Sequence, residues 1–366
     1  MPYGTVVADQ IQNTTGYTLG AGNATNFKNR LINGAMVIDQ RNAGASVTAG
    51  SAYTLDRWNV DRVWSGSTVT IQQSSTAPAG FTNSMIATVS TGAAVASASY
   101  FSIQQFIEGY NVADLDFGKA TAQSFTVSFW VRSSVTGTYG VGFRNSAFDS
   151  SYWTTYTINS ANTWEQKYVT ITAPTSGTWY TNNSYGLNVI FSLGCGSTNK
   201  AASNNAWNAG GKLGAVGETD LIATTGATFY ITGVQLEKGS TATAFDYRQY
   251  GTELVLCQRY FISYGGTTGY ERIAVGVCNN TTGASVSTFL PVPMRAQPSL
   301  GFSAVGNFGV YDGGNVYAVT AIAMDQQTNQ IANFQFTVAS GLTTNRTAQI
   351  VANNTTAARL TLSAEL

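Results

Sequence analysis

The chain has 366 residues, with 18 basic and 18 acidic side chains, no histidine and only 10% charged residues, where an average globular chain carries about 25%. The absence of histidine removes Ser-His-Asp and Cys-His catalysis, His-ligated zinc and the commonest general base at neutral pH. Balanced charge argues against nucleic acid as a partner, because phosphate binding relies on clustered lysine and arginine.

Hydrophobic residues at 43% and aromatics at 12% suffice for folded cores, and the length suits two or three domains. Residues 1–29 are small, polar and glycine-rich with no apolar period, which predicts an extended arm. Met1 to Asn13 has neither a basic n-region nor an apolar h-region, and no run of 18 apolar residues occurs anywhere. Neither a signal peptide nor a membrane span is expected, and the chain reads as one made in a cytoplasm. Cys195, Cys257 and Cys278 are odd in number and lack C-x-x-C spacing, so they read as small buried hydrophobes.

From Leu31 onward, short runs alternate apolar and polar residues between Gly, Ser, Asn and Thr clusters, the pattern of antiparallel strands. Phe125, Val127, Phe129 and Val131 share one face, as do Leu187, Val189, Phe191 and Leu193 in a later run; Val169 and Ile171 mark another strand. In the run TFYITGVQLEKG the apolar phase moves from Phe229 and Ile231 to Val234 and Leu236, which predicts a bulge at Gly233. The fold class expected is all-β: a jelly-roll-like β-sandwich over 30–246, a short linking helix, and a second, smaller β-sandwich over 263–366.

The helix is expected over 247–262, where Tyr247, Tyr250, Leu254, Cys257 and Phe261 recur at spacings of three and four. So short a helix needs a partner: either its own domain, or copies of itself in a trimeric bundle. Beyond it, with a boundary near residue 250, Ile273, Val275 and Val277 alternate in one strand and Phe334, Phe336 and Val338 in another. Pro291, Pro293 and Pro298 mark an edge or crossover segment, and Leu360 and Leu362 close a sheet at the C-terminus.

Chemistry-bearing motifs are sparse. Asp114 with Asp116, Asp56 with Asp61, and Glu237 are candidate acids for glycoside hydrolysis, but Asp114 and Asp116 sit in a turn-forming sequence, so no catalytic residue is assigned and no enzyme is expected. The glycine runs at Gly137 to Gly142 and Leu19 to Asn23 lack the context of phosphate loops and read as turns. Neither cofactor nor metal is called: a structural Ca²⁺ is conceivable for a jelly roll, but no ligand spacing names one. Aromatics in polar surroundings are more informative. Tyr152, Trp153, Trp179, Tyr180, Trp207 and, in the second β region, Tyr311 are candidates to stack on sugar rings beside Asn, Gln and Ser donors; the alternative is that these rings cap the core or fill subunit contacts.

The runs NRLINGAMVIDQRNAG (29–44) and YTLDRW (53–58) resemble the opening of a β-sandwich domain common in bacteriophage tail fibre and receptor-binding proteins. The run at 231–261 resembles the closing strand and following helix of that family, FLPVPMRAQPSL (289–300) is similar to its distal domain, and MPYGTVVADQIQ resembles its virion-attachment arms. The resemblance implies a homotrimeric virion component with a jelly-roll, carbohydrate-binding-module-like domain. It would be attached to a tail or baseplate protein through the arm at 1–29 and would recognise a host surface polysaccharide, with residues 247–261 as the trimer seam. A purely structural virion role, as head decoration or tail scaffold, is the alternative, and a polysaccharide hydrolase a more distant one. The location expected is the virion tail, assembled in the host bacterial cytoplasm, without membrane insertion.

Overall fold

A computed structural model describes residues 28–63 and 66–366, together with the backbone of Gln10–Gln12 and Thr18–Gly20, which pair antiparallel. The remainder of the expected arm, up to residue 27, lies outside the described residues. The chain forms two compact units: one ends at Tyr250 and takes in Leu366, and the other is Gly251–Glu365.

The first unit is a jelly-roll-like β-sandwich. Its seven-stranded sheet runs in the order Ala206–Ala209, Ser150–Ile158, Gly137–Arg144, Tyr185–Cys195, Tyr100–Glu108, Trp58–Val63, Ala52–Leu55. Its six-stranded sheet runs Glu165–Ile171, Phe125–Ser133, Thr228–Lys238, Ser84–Thr91, Thr68–Ser74, Val47–Thr48. Every pairing is antiparallel, so the side-chain period of two turns one face of each sheet toward a shared core. Phe125, Val127, Phe129 and Val131 from one sheet and Leu187, Val189, Phe191 and Leu193 from the other are all buried in that core, as their alternation predicts. Gly233 carries the expected bulge: the register slips between Thr232 and Gln235, Gly233 has φ +61°, and apolar residues on both sides of it remain buried.

The motifs that open and close this unit meet in space. Asn29 donates to Val234 O and its Oδ1 accepts from the amides of Leu31 and Leu236. Asn33, fully buried at φ +58°, donates to Ile38 O and Asp56 O, while Trp58 Nε1 donates to Asn33 O. Asp56 accepts from both the amide and the side chain of Gln40. These residues satisfy buried backbone groups that no sheet ladder reaches, so they close the fold.

One expected turn is a strand. Gly137 to Gly142 lies inside Gly137–Arg144, and the glycines make room: a Cβ on Gly142 would stand 2.4 Å from the Trp153 ring, and one on Gly140 would stand 2.3 Å from Glu218 Oε2.

In the second unit six strands close into a barrel in the order Arg272–Cys278, Gly283–Phe289, Ile331–Val338, Val316–Met324, Phe308–Tyr311, Thr347–Ala352. Beside it lies a three-stranded sheet, Phe261–Tyr264, Leu360–Ser363 and Ser299–Phe302. Its strand pairings are all antiparallel, and closure takes the place of the two open sheets of a sandwich. Phe308, Phe334, Phe336 and Ile350 fill its interior, which leaves the first strand only small inward residues. Cys278 is accordingly buried, whereas Val275 and Val277, which alternate with it, are 57% and 41% exposed. A narrow barrel alternates large and small inward residues in this way. All three cysteines are buried.

The helix is shorter than the sequence period suggests, Tyr250–Gln258. The Arg259 amide bonds Val255 O, the Tyr260 amide bonds Cys257 O, and Tyr260 O accepts from Ala364. The chain is thereby drawn from its last helical turn into the strand at Phe261, which pairs with Ser363. Tyr247 precedes the helix and packs its ring on Phe81 and Phe245, with centroids 5.3 and 4.9 Å away. Tyr250 is exposed, Leu254 half-buried, and Cys257 and Phe261 buried, so these five residues do not form one continuous exposed seam.

Candidate functional site

The first unit carries an open cleft of about 360 Å³ lined by Asp149, Ser150, Ser176, Gly177, Trp207, Asn208 and Ala209. Three pieces of chain build it: the hairpin turn after Gly137–Arg144, the loop that follows Glu165–Ile171, and the edge strand Ala206–Ala209.

Asn145 fixes the turn. Its Oδ1 accepts from the amides of Asp149 and Ser150, and its Nδ2 donates to Asp149 Oδ1 at 2.6 Å and to Thr178 O at 3.3 Å. One fully buried amide thus ties the turn to the loop opposite and holds the Asp149 carboxylate at the rim. Asn208 sets the third wall: its side chain accepts from the amides of Ala202 and Ser203 and donates to Ser203 O and Ala206 O, which leaves it shaping the loop rather than facing a ligand.

Trp207 supplies the apolar surface. It is half-buried, and its Nε1 donates to Thr172 O at 2.9 Å. Its ring meets Trp179 edge-on at 5.4 Å and Tyr152 at 5.5 Å. Trp179 donates to Ser176 O and rests on Phe117, which continues through Phe125 and Phe143 back to Tyr152. Six rings therefore close a circuit from the cleft into the core, and this packing holds Trp207 in one orientation.

Of the aromatics singled out in the sequence, Trp207 lines the cleft and Trp179 buttresses it. Tyr152 is only 6% exposed beneath Trp207, and burial raises its phenol pKa. Trp153 points to the opposite side of its strand, fully buried with Ile190, Ala201 and Ala215, its indole donating to Lys212 O. These two cap the core and offer no stacking face. Tyr180 is exposed on the loop beyond Trp179 but does not line the cleft. Tyr311 belongs to the other unit, where the Arg272 guanidinium lies 5.0 Å over its ring.

The candidate acids are each engaged elsewhere. Asp114 receives a two-pronged bond from Arg30 at 2.8 and 2.9 Å. Asp116, at φ +53°, accepts from Lys119 and Thr121, which hold its carboxyl below the usual range. Asp61 accepts from Tyr100, and Glu237 accepts from Gln235 on its own strand and from Thr243 in the loop that follows. Among the described residues, no group of three or more His, Cys, Asp or Glu is placed to hold a metal, and no helix is long and apolar enough to cross a membrane. Sequence reading missed Asp149, Ser150 and Ser176; the turn-rich run NSAFDS at 145–150 signals a hairpin but not which of its side chains faces a cleft.

No protein-family model matches the chain, and no curated protein matches it. Among solved structures, the enzymatically active domain of bacteriophage CBA120 tailspike protein 4 is similar to it at 13% identity and a TM-score of 0.29 over 57% of this chain, an alignment that spans only 21% of the tailspike domain. A family 11 carbohydrate-binding module of Clostridium thermocellum, solved with a β-1,3-1,4-mixed-linked tetrasaccharide, is similar at 10% identity and a TM-score of 0.28, over 54% of this chain and 98% of the module. The C-terminal family 22 module of Clostridium thermocellum Xyn10B is similar at 12% identity and a TM-score of 0.28, over 56% and 98%. At such identities and scores, a functional reading has to stand on this chain's own geometry.

Proposed function

We propose that the first unit recognises a surface glycan at the Trp207 cleft and does not cleave it. The observation that carries this reading is the half-buried Trp207 ring, held by Thr172, Tyr152 and Trp179, facing an open cleft whose rim bears the Asp149 carboxylate and the Ser150 and Ser176 hydroxyls. A sugar ring presents a C–H face to an aromatic and hydroxyls to acceptors and donors around it, and this cleft is lined by both kinds of group. Cleavage by the usual route needs two carboxyls flanking the bond. Among the described lining residues Asp149 is the one carboxylate, which favours binding over hydrolysis.

On the resemblance of its sequence motifs, we further propose the setting: a homotrimeric tail fibre or appendage subunit that attaches to the virion through its N-terminal arm and adsorbs to host polysaccharide. Light scattering on the purified full-length chain tests the oligomer, with three times the monomer mass expected and a stable monomer counting against it.

The binding test is a glycan array followed by calorimetry on the selected oligosaccharide. Trp207→Ala is expected to weaken binding at least about tenfold while leaving circular dichroism unchanged, and Trp207→Phe to retain part of the affinity. Unaltered affinity in folded Trp207→Ala would overturn the assignment of the cleft. Release of reducing ends from the bound polysaccharide would overturn the non-catalytic reading.

A further inference from the structure

The outer face of the seven-stranded sheet carries a row of polar side chains on four adjacent strands: Asn59, Gln104, Asn188 and Arg144. Gln104 Nε2 donates to Asn59 Oδ1 at 3.1 Å, and Gln104 Oε1 accepts from Asn188 Nδ2 at 2.7 Å and from Arg144 Nη2 at 3.3 Å. Arg144 is 5% exposed, Gln104 2% and Asn188 0%, so this is a built-in polar layer rather than a solvated fringe.

Two atoms of that layer are unsatisfied in complementary senses. Arg144 Nε, a donor, and Asn188 Oδ1, an acceptor, are buried without a hydrogen-bond partner, and the two residues are direct cross-strand neighbours on the same face. Arg144 also forms no ion pair with any described carboxylate. Asp61, whose field acts on it, accepts from the Tyr100 hydroxyl instead. A buried guanidinium without a carboxylate is costly to keep in a fold.

The backbone adds an independent sign. Phe148 has φ +56°, a left-handed conformation that asparagine or glycine adopts at far less cost than a bulky side chain. Its ring lies 4.8 Å over the Arg144 guanidinium while remaining 46% exposed, and it also neighbours Tyr185. The strained residue is therefore the outward cover of the unpaired cation. It sits in the same Asn145-pinned turn whose next residue, Asp149, lines the Trp207 cleft.

We infer that this row is a second binding site, specific for an acidic sugar, in which the ligand carboxylate accepts from Arg144 and an adjacent sugar hydroxyl donates to Asn188 Oδ1. A uronic acid carries both groups on neighbouring carbons, and it reaches Arg144 when the half-exposed Phe148 ring that covers the guanidinium turns aside. The sugar part of the inference rests on the glycan reading above; the carboxylate part rests on Arg144 and Asn188 alone.

Binding of an oligogalacturonate to the full-length chain is compared with binding of the same oligomer after chemical reduction of its carboxyls to alcohols. The acidic form is expected to bind at least tenfold more tightly, with a preference that falls as salt rises. Arg144→Gln should abolish the preference. Asn188→Asp should abolish it as well, because the new carboxylate pairs internally with Arg144. Trp207→Ala should leave the ratio between the two forms unchanged even where it weakens both, which separates failure of this site from failure of the cleft. The inference is overturned if the acidic form binds no better than the reduced one, including when neither binds. It is equally overturned if the preference survives Asn188→Asp.

Discussion

Glu218→Gln should remove most of the pH dependence of stability between pH 5 and 8. Glu218 is 7% exposed; its Oε1 accepts from Ser192 Oγ at 2.8 Å and its Oε2 from the Ala215 amide at 2.9 Å. Burial dominates and pushes its carboxyl up to about 7, with Asp220 adding to the rise, while the two hydrogen bonds and Lys200 oppose it. Because the folded state holds this proton more tightly than the unfolded chain, whose glutamate titrates near 4.5, its contribution is full below that value. It is lost as pH rises through about 7. The displacement corresponds to about 3 kcal/mol between pH 4.5 and 8. The window is clean: the chain has no histidine, and Cys195, which burial raises to about 12, stays a thiol throughout. Glutamine can keep both contacts, its oxygen accepting from Ala215 and its amide donating to Ser192. The assay is urea denaturation followed by tryptophan fluorescence, since all seven tryptophans lie between Trp58 and Trp207 and report the first unit alone in the intact chain. The variant should match the parent at pH 5 and exceed it by roughly 2–3 kcal/mol at pH 8. An equal slope in both proteins, or a variant weaker at pH 8, would refute the reasoning.

Two further perturbations test the packing and the acid limb. Gly142→Ala places a methyl 2.4 Å from the Trp153 ring, and should destabilise the first unit by about 1–3 kcal/mol, read as a lower urea midpoint; an unchanged midpoint would mean that Trp153 moves freely. Glu165 is held down to about 2, against its own burial, by Lys167, Ser160 and Asn159. Its stabilising contribution is therefore present above about pH 4.5 and lost as pH falls toward 2, so Glu165→Gln should flatten the acid limb of the stability curve and leave the alkaline side untouched.

The strands were legible because alternation is a local property. Phe125 to Val131 and Leu187 to Leu193 declare their inward faces within eight residues, and the phase change across Gly233 marks its bulge before any partner strand is known. Barrel curvature is not local. Nothing in ERIAVGVCNN says that Phe308, Phe334 and Phe336 leave room only for Cys278 and other small residues, so the alternation of Val275 and Val277 does not tell which face of the strand turns inward. The heptad spacing from Tyr247 to Phe261 misleads for a related reason: the pairing of Phe261 with Ser363, about a hundred residues away, ends the helix where the sequence period would continue it.

The two candidate sites divide along the same line. Trp207 was visible because a tryptophan amid Asn, Ala and Gly has little local reason to be there. Arg144 was not, because it closes a strand of mixed small and aromatic residues and resembles any strand-end arginine. Its meaning comes from the register that sets Arg144 opposite Asn188 and Asn59 opposite Gln104, joining residues more than forty positions apart. The link between the sites is the turn from Asn145 to Asp149. Asn145 fixes Asp149 toward the Trp207 cleft, and the positive φ of Phe148 turns its ring back over Arg144. A glycine at position 148 would relieve that backbone strain and also uncover the guanidinium; that the chain holds a phenylalanine there argues that the position serves the site more than the turn.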